Sequence, residues 1–255
     1  MNILPVIILF LAIFVIIILM KLVKNVLKVI LYVVFLTGLV LLVTGFLVVT
    51  DAKNFKNNMQ NSSNTFILVK DKTVMAGMVV DRSQLQQATY LSKETINTFQ
   101  EYYQNRSLDK LKGKTYKLFI LNWSLMDDVK TNLSLQGFTL SSADVQKILQ
   151  SNNAIHDAAS LISQRYHAPE IQNAVKIQLT ADFKTDQQLK DAVFALYFNE
   201  LFTGKALNMV KSIKNEEIVV YPETALFSAI HFVPSGWIND ALEVRNESQI
   251  LEKKG

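Results

Sequence analysis

The sequence predicts an α+β protein: an N-terminal transmembrane helical hairpin followed by one soluble domain of mixed helices and strands. Three observations carry that prediction. Ile3 to Met20 and Val29 to Val49 are uncharged, overwhelmingly apolar runs, with Lys21, Lys24 and Lys28 between them. Beyond Thr50 the chain changes to short β-rich runs interspersed with stripes of three- and four-residue apolar spacing. No stretch there repeats at a fixed period, and no second linker divides it, so the remainder reads as a single domain.

Each N-terminal run is long enough to cross a membrane. At about 1.5 Å per residue they cover roughly 27 and 32 Å, against a hydrocarbon core of about 30 Å. Lipid leaves backbone polar groups no outside partner, so an isolated run must be helical. A cleaved signal peptide does not fit: no Lys or Arg precedes the first run, and no small-residue cleavage site ends it. One continuous helix in the bilayer would hold three ammonium groups in lipid, at about 2.5–3.5 kcal/mol each. A turn within 21–28, with Asn25 near its tip, removes that cost. Residues 1–50 are therefore expected as a hairpin with spans at about 3–20 and 29–49.

Basic residues in short loops favour the cytoplasmic side. Lys21, Lys24 and Lys28 thus place the rest of the chain outside the cytoplasm, at the cell membrane, behind two spans. Lys53 and Lys56, opposed by Asp51, flank the far end and reduce the asymmetry. Thr37-Gly38 recurs as Thr44-Gly45 seven residues later, which gives the second span a smooth strip where helix backbones approach closely. The first span is the expected occupant of that strip, with an oligomer contact as the alternative.

The formal charge of +4 is instructive once located. Three of the 26 basic residues lie at 21–28 and none of the 22 acidic ones precedes Asp51, so the remainder is close to neutral. It carries no basic stripe with interleaved aromatics, which excludes nucleic acid as a partner. The absence of cysteine excludes a disulfide framework and a Cys-based zinc site. The domain must rely on its core, for which its length suffices.

Taken in order, residues 51–65 are polar and Asn-rich without a sustained period and read as a linker or a frayed helical extension of the second apolar run. The domain follows at 66–250, with 251–255 as a tail. Phe66 to Val69 and Thr73 to Val80 form an expected hairpin, with a bulge or close approach at Gly77. Ser83 and Gln86 make a capping-box pattern, opening a helix through Ala88, Leu91, Ile96, Phe99 and Tyr103. Lys114 to Leu121 reads as a strand. From Ser142, the stripe Val145, Ile148, Leu149, Ile155, Ala159, Ile162 and Tyr166 is helical and ends before Pro169. Ala174 to Leu179 alternates like a strand.

Thr185 and Gln188 form a second capping box, and the helix they open stops at Gly204. Phe194, Phe198 and Phe202 recur every fourth residue, with Leu189, Val193, Leu196, Tyr197 and Leu201 on adjoining faces. A helix apolar on most sides is either central in a core or docked on a partner. Core is the first reading; Phe194, Tyr197, Phe198 and Phe202 are nonetheless the candidates for a protein contact. Ala206 to Ile213 is an expected short helix and Ile218 to Tyr221 a strand stopped by Pro222. Ala225 to Phe232 is an apolar run of unassigned type, before a turn at Pro234-Ser-Gly, Trp237 and a last charged helix.

Motifs for chemistry are sparse. No Gly-x-Ser-x-Gly elbow, P-loop, Gly-x-Gly-x-x-Gly or His-Glu-x-x-His occurs, and no cofactor is expected. Ser107 and Lys110 fit a Ser-x-x-Lys pattern and are the candidate nucleophile and base. His167 and Glu170 are the candidate metal ligands, although Pro169 between them breaks a shared helical face. Asp127-Asp128 and Glu216-Glu217 are adjacent pairs whose side chains diverge. Asn61, Asn105, Asn122, Asn132 and Asn246 each begin an Asn-x-Ser glycosylation pattern, which agrees with an outside location.

The layout of two spans, a cytoplasmic loop and an outer domain is similar to bacterial type I signal peptidases, but their Ser-Met nucleophile box and following Lys have no counterpart: Ser124 precedes Leu-Met. The hairpin with its lysines, followed by Thr-Asp-Ala-Lys-Asn-Phe and Phe-Ile-Leu-Val-Lys-Asp-Lys-Thr-Val-Met-Ala-Gly, resembles uncharacterised two-helix membrane-anchored proteins of small-genome archaea. That resemblance implies an anchor and no activity. The expected function is a non-enzymatic, membrane-anchored ectodomain for cell-envelope binding or assembly, with the lipid bilayer and another protein, or a second copy, as partners. The alternatives are a membrane-anchored, peptidase-like hydrolase and an accessory subunit of a channel or transporter; the enzymatic question stays open.

Overall fold

Side-chain alternation along the strands decides the architecture of the computed structural model, which describes residues 4–81, 87–127, 132–202 and 206–238. The chain divides into two units, Met1–Thr50 and Asp51–Gly255. In the second, β1 (Asn64–Lys70) and β2 (Thr73–Asp81) form the expected antiparallel hairpin. Asp71 and Lys72 turn it with φ of 47° and 69°, the positive pair that suits a two-residue loop to the strand twist. Phe66 and Leu68 point into one core while Ile67 and Val69 point into another. A strand buried on both faces belongs at the centre of a sheet.

The sheet order is β3-β2-β1-β4-β7, with β3 at Gln87–Tyr90, β4 at Lys117–Asn122 and β7 at Ile218–Tyr221. β1 and β4 are parallel, in a register that sets Phe66 opposite Phe119; the other pairings are antiparallel. A separate small hairpin joins β5 (Leu133–Leu135) to β6 (Phe138–Leu140). The crossover from β1 to β4 includes α2 (Lys93–Gln104) and α3 (Leu108–Lys112). They cover one face, where Ile96 and Leu111 meet Ile67, Val69, Leu118 and Ile120.

The other face carries the larger core. It is built by α4 (Ser142–Gln150), α5 (Ala154–Arg165), α6 (Gln172–Phe183), α7 (Asp186–Phe202), α8 (Ala206–Lys214) and α9 (Ala225–Phe232). Phe66 anchors this side, stacked on Phe119 at 4.7 Å and tilted against Phe198 at 4.6 Å. Aromatic pairs in these arrangements add about 0.5–1.5 kcal/mol beyond the area they bury. The second unit is thus α+β, with helices on both faces of a mixed sheet.

Several expectations are corrected. The N-terminal turn is not formed: α1 runs without interruption from Leu4 to Asn61, and the backbone at Lys21, Lys24 and Lys28 lies inside it. The sequence Lys-Leu-Val-Lys-Asn-Val-Leu-Lys contains neither Gly nor Pro, so nothing local ends the helix. Among the described residues one stretch, Ile30–Met59, is long and apolar enough to cross a membrane. That is compatible with an anchor; a second span is not seen. Of the two readings of 51–65, the helical extension holds and the linker does not. It is helical to Asn61, and Phe55 and Met59 pack on the larger core.

Ala88 belongs to β3, and the following helix starts one strand later, at the Ser92 cap, whose Oγ accepts from Thr95 N at 3.2 Å. Ser83 and Gln86 lie outside the described residues. The predicted strand at Ala174 to Leu179 is helix α6. The stripe from Ser142 is split at Ser151 into α4 and α5.

Candidate functional site

Two buried charged side chains and one polar groove are the places where this fold holds unusual chemistry. The first follows from the β1–β4 register, which sets Asn64 opposite Lys117 one step beyond the Phe66–Phe119 stack. Both are about 1 % exposed. The Lys117 ammonium donates to the Pro222 carbonyl at 2.6 Å and lies 5.1 Å from the Phe227 ring and 5.5 Å from the Tyr116 ring. Burial holds its pKa below the usual lysine value, against the pull of the Asp51 carboxylate. Asp51 in turn accepts from Leu226 N at 2.8 Å, where α9 begins, and Phe55 meets Phe227 edge-on at 5.1 Å. Asn64 Oδ1 and Thr224 Oγ1 are buried here without a protein partner. The cluster ties the end of α1, the sheet and α9 together through one enclosed cation.

The second is Asp191, fully buried within α7. Its Oδ1 accepts from Gly77 N at 3.0 Å and from Gln187 Nε2 at 2.8 Å, and its Oδ2 from Leu91 N at 2.9 Å. Burial pushes its carboxyl up to about 7, although all three donors favour the ionised form. The carboxylate serves amides that the β2–β3 ladder leaves unpaired past Met78 and Tyr90. Gly77 is the expected close approach: a Cβ there would sit 2.7 Å from Leu91 Cδ1 and 3.2 Å from the Phe66 carbonyl. Sequence reading passed over Asp191, though a lone carboxylate inside so apolar a helix was its signal.

The groove, about 520 Å³, is lined by Ser92, Lys93, Glu94, Lys184, Thr185, Asp186 and Lys190 among others. Three helix starts meet there, yet side chains already serve their amides. Ser92 caps α2, Thr185 Oγ1 accepts from Gln188 N at 3.2 Å, and Asp186 Oδ1 accepts from Ile155 N at 2.8 Å. Glu94 and Asp186 oppose the three lysines, so the charges largely compensate one another.

The residues predicted from sequence are not brought together. Ser107 caps the short α3 without a side-chain bond, and the Lys110 ammonium lies over the Tyr102 ring at 5.8 Å; no hydrogen bond joins the pair. His167 is exposed at the end of α5 with φ 51°, and Glu170 is exposed on the following 3-10 turn. No group of three metal-ligating side chains occurs among the described residues. The contact candidates Phe194, Tyr197 and Phe202 are buried, and half-buried Phe198 packs on Phe66 and Phe202. They pack in the larger core.

Asn61, Asn105, Asn122 and Asn132 are exposed; Asn246 lies outside the described residues. Thr37, Gly38, Thr44 and Gly45 are exposed, and both glycines face open space. No family model, curated protein or solved structure matches the chain.

Proposed function

We propose that this protein is a membrane-anchored, extracytoplasmic binding or assembly component of the cell envelope, without catalytic activity of its own. One observation carries the reading. The side chains from Ile30 to Val49 are almost all exposed and apolar, whereas the second unit buries its apolar stripes in two cores of its own. Such a surface requires lipid.

Two spans with the lysines inside the cell remain the reading for a bilayer. From Leu4 to Thr50 a straight helix covers about 70 Å, more than twice the hydrocarbon thickness, so one apolar run would otherwise stand in water. α1 has no turn as folded here, so two spans require one to form within 21–28 on insertion, after which the Thr37-Gly38 and Thr44-Gly45 strip would receive the first run or a second copy. The outer unit then meets its protein partner or another copy of itself.

Protease treatment of intact cells followed by carbonate extraction of membranes tests this. The expected result is an uncleaved, carbonate-resistant N-terminal fragment and a digested outer unit. A chain released by carbonate, or an outer unit protected until the cells are broken, overturns it.

A further inference from the structure

The five-stranded sheet ends at β7, whose one strand neighbour among the described residues is β4. The register shows which way its backbone groups point. Asn122 N donates to the Glu217 carbonyl at 2.8 Å, and Leu121 stands opposite Ile218. Bonded positions alternate along an antiparallel pair, so Val219 and Tyr221 also turn their amides and carbonyls toward β4. Ile218 and Val220 turn theirs outward, where neither has a hydrogen-bond partner among the described residues. That edge borders a groove of about 200 Å³, walled by Ile213 of α8 and Phe227 of α9. Glu216 lies just before the strand and Glu223 just after it, and both are exposed where they line the groove. No lysine or arginine lines it among the described residues. Ser228 Oγ donates to Glu223 at 2.6 Å, while Lys214 turns its ammonium to the His231 carbonyl at 3.1 Å.

We propose that β7 takes up, as a further strand of the sheet, an extended segment of a partner protein: alternating apolar residues with Lys or Arg at both ends. This rests on the reading of the protein as a binding component, and it lies wholly within the second unit. Each part of the occupant answers a feature of the edge. The outward amides and carbonyls of Ile218 and Val220 supply main-chain pairing, the source of affinity when a peptide adds to a sheet. Alternate side chains of an added strand point to one face, so its apolar ones meet Ile213 and Phe227. The strand's four residues, at about 3.3 Å each, give about 13 Å of edge with a carboxylate beyond each end. Cations at both ends of the guest complete the match. A second copy of β7 is a poor occupant by the same logic. Paired antiparallel, it would bring its own Glu223 toward Glu216, and like charges set opposite each other destabilise a strand pair.

The test titrates the whole chain, in detergent micelles, into a fluorescein-labelled peptide Lys-Val-Thr-Val-Thr-Lys and reads anisotropy. Wild type should bind it, and the same peptide with Glu at both ends should bind at least about tenfold more weakly. A version N-methylated at every backbone amide keeps the side chains, loses the pairing donors and should not bind. Glu216→Lys combined with Glu223→Lys changes two exposed side chains, should leave the thermal transition in place, and should reverse the preference between the two end charges. Absent binding of the Lys-ended peptide at millimolar concentration overturns the proposal, whether the edge is idle or filled by a second copy or by residues 239–255. Equal binding of the N-methylated peptide, or an unreversed preference in the double variant, overturns it as well. Carbonate extraction is a separate readout: a chain that stays in the membrane but binds no peptide loses this edge and keeps its anchor. A chain that binds the peptide but is released by carbonate does the opposite.

Discussion

Two apolar helices in this molecule read alike and end in opposite places. Ile30 to Val49 of α1 and the middle of α7 are both hydrophobic on nearly every side, yet the first is exposed to its full length and the second is enclosed by protein. The difference lies in their polar residues. α7 carries Gln187 and Asp191, whose side chains meet β2 and the amide of Leu91. A polar group at that position is useful only to a protein neighbour. Ile30 to Val49 has no such group, and its threonines and glycines can serve any smooth surface, including a second helix.

The sharpest way to break that contrast is to place one carboxylate in each helix. Phe194→Asp puts an unpaired charge where no solvent reaches and should cost more than about 4–5 kcal/mol, leaving no cooperative thermal transition of the second unit. Val40→Asp should leave that transition within about 0.5 kcal/mol of wild type. It should instead cost the anchor about 2.5–3.5 kcal/mol of insertion, read as a larger carbonate-soluble fraction.

A smaller effect tests the polar tie of α7. Asp191→Ala strands the buried amides of Gly77 and Leu91, each worth about 1–3 kcal/mol, and should lower the urea midpoint; Asp191→Asn, with one acceptor oxygen left, should lose less. The same group gives a pH signature. Its carboxyl sits at about 7 when folded against 3.8 for the free group, so between those values unfolding releases a proton. The stability it contributes is complete below about pH 3.8 and declines as pH rises through 7, by about 1.4 kcal/mol per pH unit at most. Asp191→Asn should flatten that decline in a denaturation series across pH.

The smallest effect concerns a helix that neither side of the contrast uses. Ser141 and Asp144 make a reciprocal cap on α4, with bonds of 3.2 and 2.9 Å. Ser141→Ala should remove about 1 kcal/mol, and a loss above about 2 kcal/mol would mean the cap does more than end a helix.

Much of the sheet was legible because period-2 patterning and turn residues agree at β1, β2, β4 and β7. α6 was not. Val175, Ile177 and Leu179 alternate like a strand, but only Val175, Leu179 and Phe183 are buried, four apart, and Ile177 is 71 % exposed. Burial selected the helical subset of an ambiguous pattern. The turn expected at the lysines of α1 is not formed for another reason: it was inferred from the cost of charge in lipid, and nothing in the local sequence ends the helix. The small β5–β6 hairpin went unnoticed because its strands are three residues each, too short for a period to register. Of the polar sites, Gly77 was visible and its partner Asp191 was not, since their meeting depends on α7 crossing the sheet.

Asp51, Phe55 and Met59 belong to the second unit although they continue α1. Cutting the chain at residue 66 would therefore uncover the Phe227 ring and remove the Asp51 carboxylate that acts on Lys117. A cut between 51 and 61 would leave the second unit with a missing wall, whereas a cut before Asp51 would release it whole. Residues 51–61 cannot be trimmed away as a tether could, because these last three turns of α1 are part of the second unit's own core.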